Sequence, residues 1–144
     1  MNEPTIELTG YLGADPALRF TPNGVPVVDL RVATTRRFKV GEEWQDGETV
    51  WFEVSVWKQA AEHAALSLKK GDRVMVKGRL GQQSWTREDG TTATKLVVDA
   101  TGVGVDLHRA PVKVMLPVRD GAASTNFPER YADEAGPVEE SVAA

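Results

Sequence analysis

Strict alternation of side chains over positions 50–57 limits what this chain can fold into more than any other feature of its sequence. Successive residues of a β-strand point to opposite faces, so the alternation predicts a strand with one apolar, buried face and two tryptophans on the other. Residues six apart on one face of a strand are about 20 Å apart. The apolar face is predicted to hold Val50, Phe52, Val54 and Val56, and the outer face Trp51, Glu53, Ser55 and Trp57.

Similar alternation predicts four further strands. They cover Thr5 to Leu12, about residues 27–32, Asp72 to Thr86 and about residues 92–107. The glycines at 102 and 104 predict a bulge or bend in the last strand. The polar, glycine-containing residues 36–49 are typical of a long hairpin loop, and we predict no strand there.

One segment has the period of a helix. From Gln59 to Lys70 the apolar residues form a single stripe, and Gly71 follows as a C-terminal stop signal. The order of three strands, a helix and two strands predicts an all-β fold, a five-stranded OB-fold barrel with one helix between strands 3 and 4. Other small barrels have similar strand spacing, and the position of the helix favours the OB type.

Regular periodicity ends near residue 110. We therefore predict a domain over residues 1–110 and a flexible, disordered, acidic tail over residues 111–144. A short strand at Val112–Leu116 is an alternative for the start of that tail. The whole chain has a net charge of −4, whereas residues 1–110 hold 14 Lys and Arg against 15 Asp and Glu. Attraction to phosphate must therefore come from the placement of charges and not from their sum.

Several classes of function are disfavoured by composition. The absence of cysteine excludes disulfides, thiolate zinc sites and cysteine nucleophiles. His63 and His108 have no acid and nucleophile pattern beside them, and no metal-ligand spacing or glycine-rich phosphate loop is present. We expect no catalysis, no metal and no cofactor. No apolar run reaches the roughly 18 residues of a membrane span and no secretory signal opens the chain, so we expect a cytoplasmic protein of the nucleoid.

The fourth strand repeats the pattern of the third. Its predicted outer face is basic and ends in a tryptophan, which suits single-stranded nucleic acid because unpaired bases stack on aromatic rings and phosphates need cations. Exposed tryptophans are equally typical of a subunit interface, and the pattern alone leaves both open. Trp44 lies in an acidic segment that is poorly placed to meet phosphate. The outer face is predicted to hold Arg73, Met75, Lys77, Arg79, Gln83 and Trp85.

Four motifs lie in order along the chain, and they are GYLGADPALRFTPNG at 10–24, Ala33-Thr34, LKKG at 68–71 and VKGRL at 76–80. Over about residues 5–107, these motifs and their spacing resemble bacterial single-stranded DNA-binding proteins. The resemblance implies an OB fold, a subunit interface through the first strand, and usually a homotetramer that wraps DNA, with a dimer as the alternative. By position, the base-stacking aromatics of the family would be Phe38, Trp51, Trp57 and Trp85.

The resemblance also implies sequence-nonspecific binding and protection of single-stranded DNA in replication, recombination and repair. We predict that phosphates are held by Arg31, Arg36, Arg73, Lys77 and Arg79, with Arg19, Lys39, Lys69 and Lys70 as further candidates. A competing hypothesis is a protein-interaction module that serves as an assembly subunit of a replication complex.

Two departures from the family pattern change these expectations. Residues 81–84 are uncharged where many relatives are basic, which predicts fewer phosphate contacts and a shallower salt dependence. The last residues, 137–144, lack the acidic tip closing in Asp-Ile-Pro-Phe that recruits replication and repair proteins. We interpret the chain as a short-tailed paralogue that does not recruit partners through such a tip.

Overall fold

The alternating segments form strands in a computed structural model, which describes residues 2–116. Six strands and one helix build a β-barrel, so the predicted all-β fold with a single helix is confirmed. One strand, β2, was not predicted, because its four residues are all exposed and too few to show a period. The elements are β1 (Thr5–Leu12), β2 (Ala17–Phe20), β3 (Pro26–Val40), β4 (Glu43–Trp57), α1 (Gln59–Ser67), β5 (Arg73–Thr86) and β6 (Thr92–Val105).

The strands are hydrogen-bonded in the order β1-β5-β6-β4-β3-β2. The end of β1 also pairs with β3, at Tyr11–Ala33 and Leu12–Val32, and this contact closes the barrel. All pairs are antiparallel except β4 and β6, which run parallel from Phe52–Leu96 to Ser55–Asp99. We call this parallel pair the seam. It joins segments that are more than 40 residues apart in the sequence.

The barrel interior is filled by the inward residues of the alternating strands. Phe52, Val54 and Val56 of β4 are buried as predicted, and Trp51 and Trp57 of the same strand face outward. The helix adds the predicted stripe, with Ala61, Ala64 and Leu68 buried against the core. The prediction for Val50 was wrong. Its side chain is 42% exposed, because it lies where the β3–β4 pair extends past the end of the barrel.

This extension replaces the predicted loop at residues 36–49. Strand β3 continues to Val40 and β4 begins at Glu43, with a turn at Gly41 that has a positive φ of 64°. We call residues 36–48 the arm. It has no buried face, so no apolar alternation marks its strands in the sequence, and the prediction of a loop was wrong for that reason.

The helix is shorter than predicted. It ends at Ser67 instead of Lys70, because two carboxylates take up the next backbone N–H groups. The N–H of Lys69 donates to Asp72 Oδ2 at 2.9 Å, and the N–H of Lys70 donates to Asp15 Oδ1 at 2.8 Å. Side-chain acceptors of this kind compete with helical hydrogen bonds.

The last strand has the predicted bulge. Lys77 pairs with Gly102 and Gly78 with Ala100, which leaves Thr101 as an extra residue in β6.

Residues 112–116 form no strand, so the alternative of a short strand there is wrong. The predicted tail beyond Leu116 lies outside the described residues, and the division at residue 110 stays a prediction.

Candidate nucleic-acid interface

Two of the predicted tryptophans line one cleft on the outside of the barrel. Trp51 comes from β4 and Trp85 from β5, and they are 43% and 47% exposed. The cleft has a volume of about 430 Å³ and crosses the seam, since Phe52 of β4 and Leu96 of β6 also line it. We call it the tryptophan cleft. Its aromatic rings, open to solvent and drawn from different strands, can receive flat apolar groups.

The ring of Trp51 is held from two directions. The guanidinium of Arg31 lies 4.6 Å from the ring centroid, a cation–π contact. On another side, the backbone of Gly13 approaches so closely that a Cβ there would be 2.6 Å from Cζ3 of the indole. The N–H of Gly13 in turn donates to the carbonyl oxygen of Arg31 at 2.8 Å. These contacts order the ring before any ligand binds, which lowers the entropy cost of binding.

Charged groups of both signs border the tryptophan cleft. Lys95 lies 2.8 Å from Glu53 (Nζ–Oε2), and Glu53 is the direct cross-strand neighbour of Arg31. The side chains of Lys95 and Glu53 are 38% and 41% exposed, so the pair is worth little and a phosphate can compete for the lysine. Sequence reasoning missed Lys95. It is a single charge in an apolar run, and only the parallel pairing of β6 beside β4 brings it to the cleft.

The other two predicted stacking residues lie away from the cleft. Trp57 is at the end of β4, on the same outer side as Trp51 and opposite Val27. Phe38 is on the arm, with its ring over Gly47, and is 37% exposed. Arg36 is exposed on the same arm. The structure therefore brings together Trp51, Trp85 and Arg31 and leaves the predicted arm residues separate from them.

The predicted basic residues of β5 face outward but are already paired with carboxylates. Arg79 lies 2.6 Å from Asp99 (Nη2–Oδ2), and Lys77 lies 3.9 Å from Glu7 (Nζ–Oε1). Lys77 belongs to a different cleft, between β1, β5 and β6, which Glu7 and Met75 also line. We call the outer side of the β1–β5 pair, which carries Arg73, Lys77 and Arg79, the β1–β5 face. None of these three basic residues lines the tryptophan cleft.

Arg73, the third basic residue of β5, forms part of a hydrogen-bond network around the buried carboxylate of Asp106. Its Nε donates to Asp106 Oδ2 at 2.6 Å, and its Nη1 donates to the hydroxyl of Tyr11 at 3.3 Å. Asp106 is only 5% exposed. The backbone N–H and the imidazole of His108, together with Arg73, hold the pKa of Asp106 well below its usual range. The hydrogen bonds to Tyr11 and Asp106 raise the pKa of Arg73. This network fastens the end of β6 to β5.

Other kinds of site have no support in the part of the chain that the structure describes. Residues 2–116 contain no group of three or more His, Asp or Glu side chains that could hold a metal ion. Among the same residues, no helix is long and apolar enough to cross a membrane. His63 is exposed on the helix.

Comparison with known proteins identifies the class. The model of the single-strand binding protein family matches residues 3–106. The chain belongs to this family, which is one of binding proteins and not of enzymes, as the sequence predicts. The match covers every strand and the helix that build the barrel and the tryptophan cleft.

Individual relatives agree with the family match. Single-stranded DNA-binding protein 2 of Streptomyces coelicolor is 45% identical over 114 residues, which are 78% of this chain and 57% of that protein. The single-stranded DNA-binding protein of Mycolicibacterium smegmatis is 40% identical over 121 residues, 83% of this chain and 73% of the relative. The chain thus spans a little over half to about three quarters of the length of these two relatives.

A solved structure supports the fold. The crystal structure of a small single-stranded DNA-binding protein from Streptomyces coelicolor matches with a TM-score of 0.71 and 40% sequence identity. The match covers 76% of this chain and 100% of that one. This neighbour agrees with the predicted OB fold.

Proposed function

We propose that this chain binds single-stranded DNA without sequence preference, with Trp51 and Trp85 as the central base-stacking residues. The observation that carries the proposal is the tryptophan cleft, in which two exposed indoles from different strands face the same space beside Arg31 and Lys95. The printed names of the relatives, which are single-stranded DNA-binding proteins, support the same function.

Stacking supplies affinity and cations hold the backbone in this proposal. A base stacked on an aromatic ring is worth ~1–3 kcal/mol, a value known from single-stranded DNA-binding proteins of this kind. Arg31 and Lys95 contact phosphates at the cleft. Trp57 and Phe38 stay predicted stacking residues, and Arg36, Arg73, Lys77 and Arg79 stay predicted phosphate contacts. The role that follows is protection of unpaired strands in replication, recombination and repair, in the cytoplasm at the nucleoid.

Self-association through β1 is part of the proposal. Residues Thr5–Gly10 pair with β5 on one side, and β1 meets β3 only at Tyr11 and Leu12. The other edge of 5–10 is therefore left without a partner strand among the described residues. An open strand edge is a surface on which a second copy can add its own strand. The resulting assembly is a homotetramer or a dimer.

The first experiment is a titration of tryptophan fluorescence with oligo-dT at low and moderate salt. Saturable quenching is expected, because bases stack on exposed indoles. In the Trp51→Ala variant the binding free energy falls by ~1–3 kcal/mol while the unfolding transition stays unchanged. Wild-type affinity in this variant contradicts the role of Trp51.

The alternative function makes the opposite prediction in the same titration. No quenching at low salt, in a sample shown to be folded, means that the tryptophans serve a protein interface. Iodide quenching and light scattering then show whether the indoles become covered as the chain self-associates.

A further inference from the structure

Strand β4 carries three tryptophans along its length, at positions 57, 51 and 44. The interval from Trp57 to Trp51 is six residues, which keeps both on the outer side of the barrel. The interval from Trp51 to Trp44 is seven. In a regular strand an odd interval places the two side chains on opposite faces, so the sequence alone sets Trp44 apart from the other two.

The pairing register reverses that conclusion. Thr35 of β3 lies opposite Thr49 of β4, and the next regular pair is Arg37 opposite Asp46. The step is two residues on β3 and three on β4, so β4 contains one extra residue at positions 47–48. A bulge of this kind shifts the alternation of the strand that contains it by one residue. Beyond it, Trp44 returns to the side on which Trp51 lies.

Side-chain contacts agree with this register. The guanidinium of Arg37 lies 5.8 Å from the centroid of the Trp44 ring, and its Nε lies 3.2 Å from Oδ1 of Asp46. The three residues therefore share one side of the arm. Strand β3 has no extra residue here, so Arg37 keeps the outward side of Arg31, whose guanidinium covers Trp51.

Phe38 lies on the other side of the arm. It pairs with Gln45, and a Cβ built on Gly47 would be 3.5 Å from its ring and 3.6 Å from Cβ of Arg36. The ring is thus partly covered by its own hairpin. Trp44 is 61% exposed and Phe38 is 37% exposed, so Trp44 offers more free aromatic surface.

The charges on the two sides of the arm also differ. Among the paired residues of the arm, the Trp44 side carries Arg37 and Lys39 against Asp46, while Glu42 lies in the turn and Glu48 in the bulge. The Phe38 side carries one cation, Arg36, and one carboxylate, Glu43. Among these paired residues the Trp44 side is the more positive and attracts a phosphate backbone more, although the arm as a whole is acidic.

We infer that Trp44 is a further base-stacking residue, which continues the line of Trp57 and Trp51 along β4 and onto the arm. Successive tryptophans of this line are about 20 Å apart, at roughly 3.4 Å per residue. A bound strand of DNA follows the Arg37 and Lys39 side of the arm after it leaves the tryptophan cleft. The inference rests on the proposed function, because it presupposes that the chain binds single-stranded DNA.

The test compares two arm variants of the full chain, Trp44→Ala and Phe38→Ala, which each remove the aromatic ring from one side of the arm. Affinity is measured for a long and a short oligo-dT by fluorescence anisotropy of a labelled oligonucleotide. We expect Trp44→Ala to weaken binding of the long oligonucleotide by at least about fivefold, the equivalent of one weakly stacked base. Phe38→Ala should cause a smaller loss. Wild-type affinity of Trp44→Ala overturns the inference, whatever the loss in Phe38→Ala.

A second measurement observes Trp44 directly. The chain has four tryptophans, so the triple variant Trp51→Phe, Trp57→Phe, Trp85→Phe leaves Trp44 as the only indole while keeping an aromatic ring at each other position. Quenching of its fluorescence on addition of oligo-dT supports the inference. Binding by anisotropy without quenching overturns it.

Failure of the proposed function has a different signature. If the wild-type chain shows no binding to oligo-dT, the function itself is wrong. If Trp51→Ala weakens binding and Trp44→Ala does not, the function stands and only the inference about the arm is lost.

Discussion

The tryptophan cleft and the β1–β5 face are two surfaces of one barrel that draw on the same strand. Strand β5 gives Trp85 to the first and Lys77 to the second. In the cleft, Arg31 lies over an indole that is open to solvent. On the β1–β5 face, Lys77 and Arg79 each lie beside a carboxylate of the chain, and Arg73 is tied to the buried Asp106.

The difference shows that the number of basic residues on a strand does not locate a binding surface. A cation beside a carboxylate is already partly neutralised and gains less from a phosphate, which holds for Lys77 and Arg79 and also for Lys95 in the cleft. A cation that lies over an exposed aromatic ring can hold that ring by a cation–π contact and attract a phosphate at the same time. We therefore expect changes at the cleft to alter DNA binding more than changes at the β1–β5 face.

The largest effect is expected from Gly13→Ala, which adds one methyl group at the edge of the cleft. The new Cβ would lie 2.6 Å from the indole of Trp51, so the ring must leave its position beneath Arg31. Affinity for oligo-dT should fall by up to the ~1–3 kcal/mol of one stacked base, with little change in thermal unfolding. The matched control is Gly104→Ala, since a Cβ there meets nothing within 4 Å. Equal affinities for the two variants would show that the position of the Trp51 ring does not matter.

A smaller effect is expected from single cations, measured as the slope of log affinity against log salt. Arg31→Gln should reduce the magnitude of this slope by ~0.7, the value for one phosphate contact on a single strand. Arg79→Gln should reduce it by less, because Arg79 exchanges a carboxylate of Asp99 for a phosphate and releases fewer counterions. The comparison between the two surfaces is wrong if Arg79→Gln changes the slope more than Arg31→Gln does.

The smallest effect on binding is expected from Asp106→Asn. The pKa of Asp106 is lowered in the folded chain, so its contribution to stability is present above the ordinary carboxyl value of ~4 and is lost as the pH falls below it. The Asn variant should be less stable at pH 7 and should lose less stability between pH 5 and pH 2. Urea unfolding across this range measures both, and oligo-dT affinity at pH 7 in the absence of urea should stay unchanged. An identical pH profile of stability in the wild type and the variant would show that Asp106 does not contribute to the pH dependence of unfolding.

Much of the barrel could be predicted, because its strands have one buried face. The alternation of Phe52, Val54 and Val56 marks the core side of β4, and the outward position of Trp51 follows from it. The arm could not be predicted in the same way. Both of its sides are in solvent, so its residues have no period-two apolar pattern, and they resemble a loop.

The candidate site could be predicted only in part, for two physical reasons. Parallel pairing between β4 and β6 brings Lys95 to the tryptophan cleft, and no local pattern encodes that neighbour. The bulge at positions 47–48 changes the side on which Trp44 lies. A prediction that assumes strict alternation along β4 misses this change, because the sequence does not mark the extra residue. The ion pairs of Lys77 and Arg79 likewise depend on acids from other strands.

The seam has a consequence for folding. To form it, the chain must bring residues 52–55 and 96–99 together. Closing a loop of more than 40 residues costs conformational entropy. The tryptophan cleft lies across this junction and exists only in the closed barrel. A ligand in the cleft therefore selects molecules in which the seam has formed, and by mass action its binding free energy adds to the stability of the closed barrel. Under the proposed function, a strand of DNA bound in the cleft would in turn act as a clamp on the barrel.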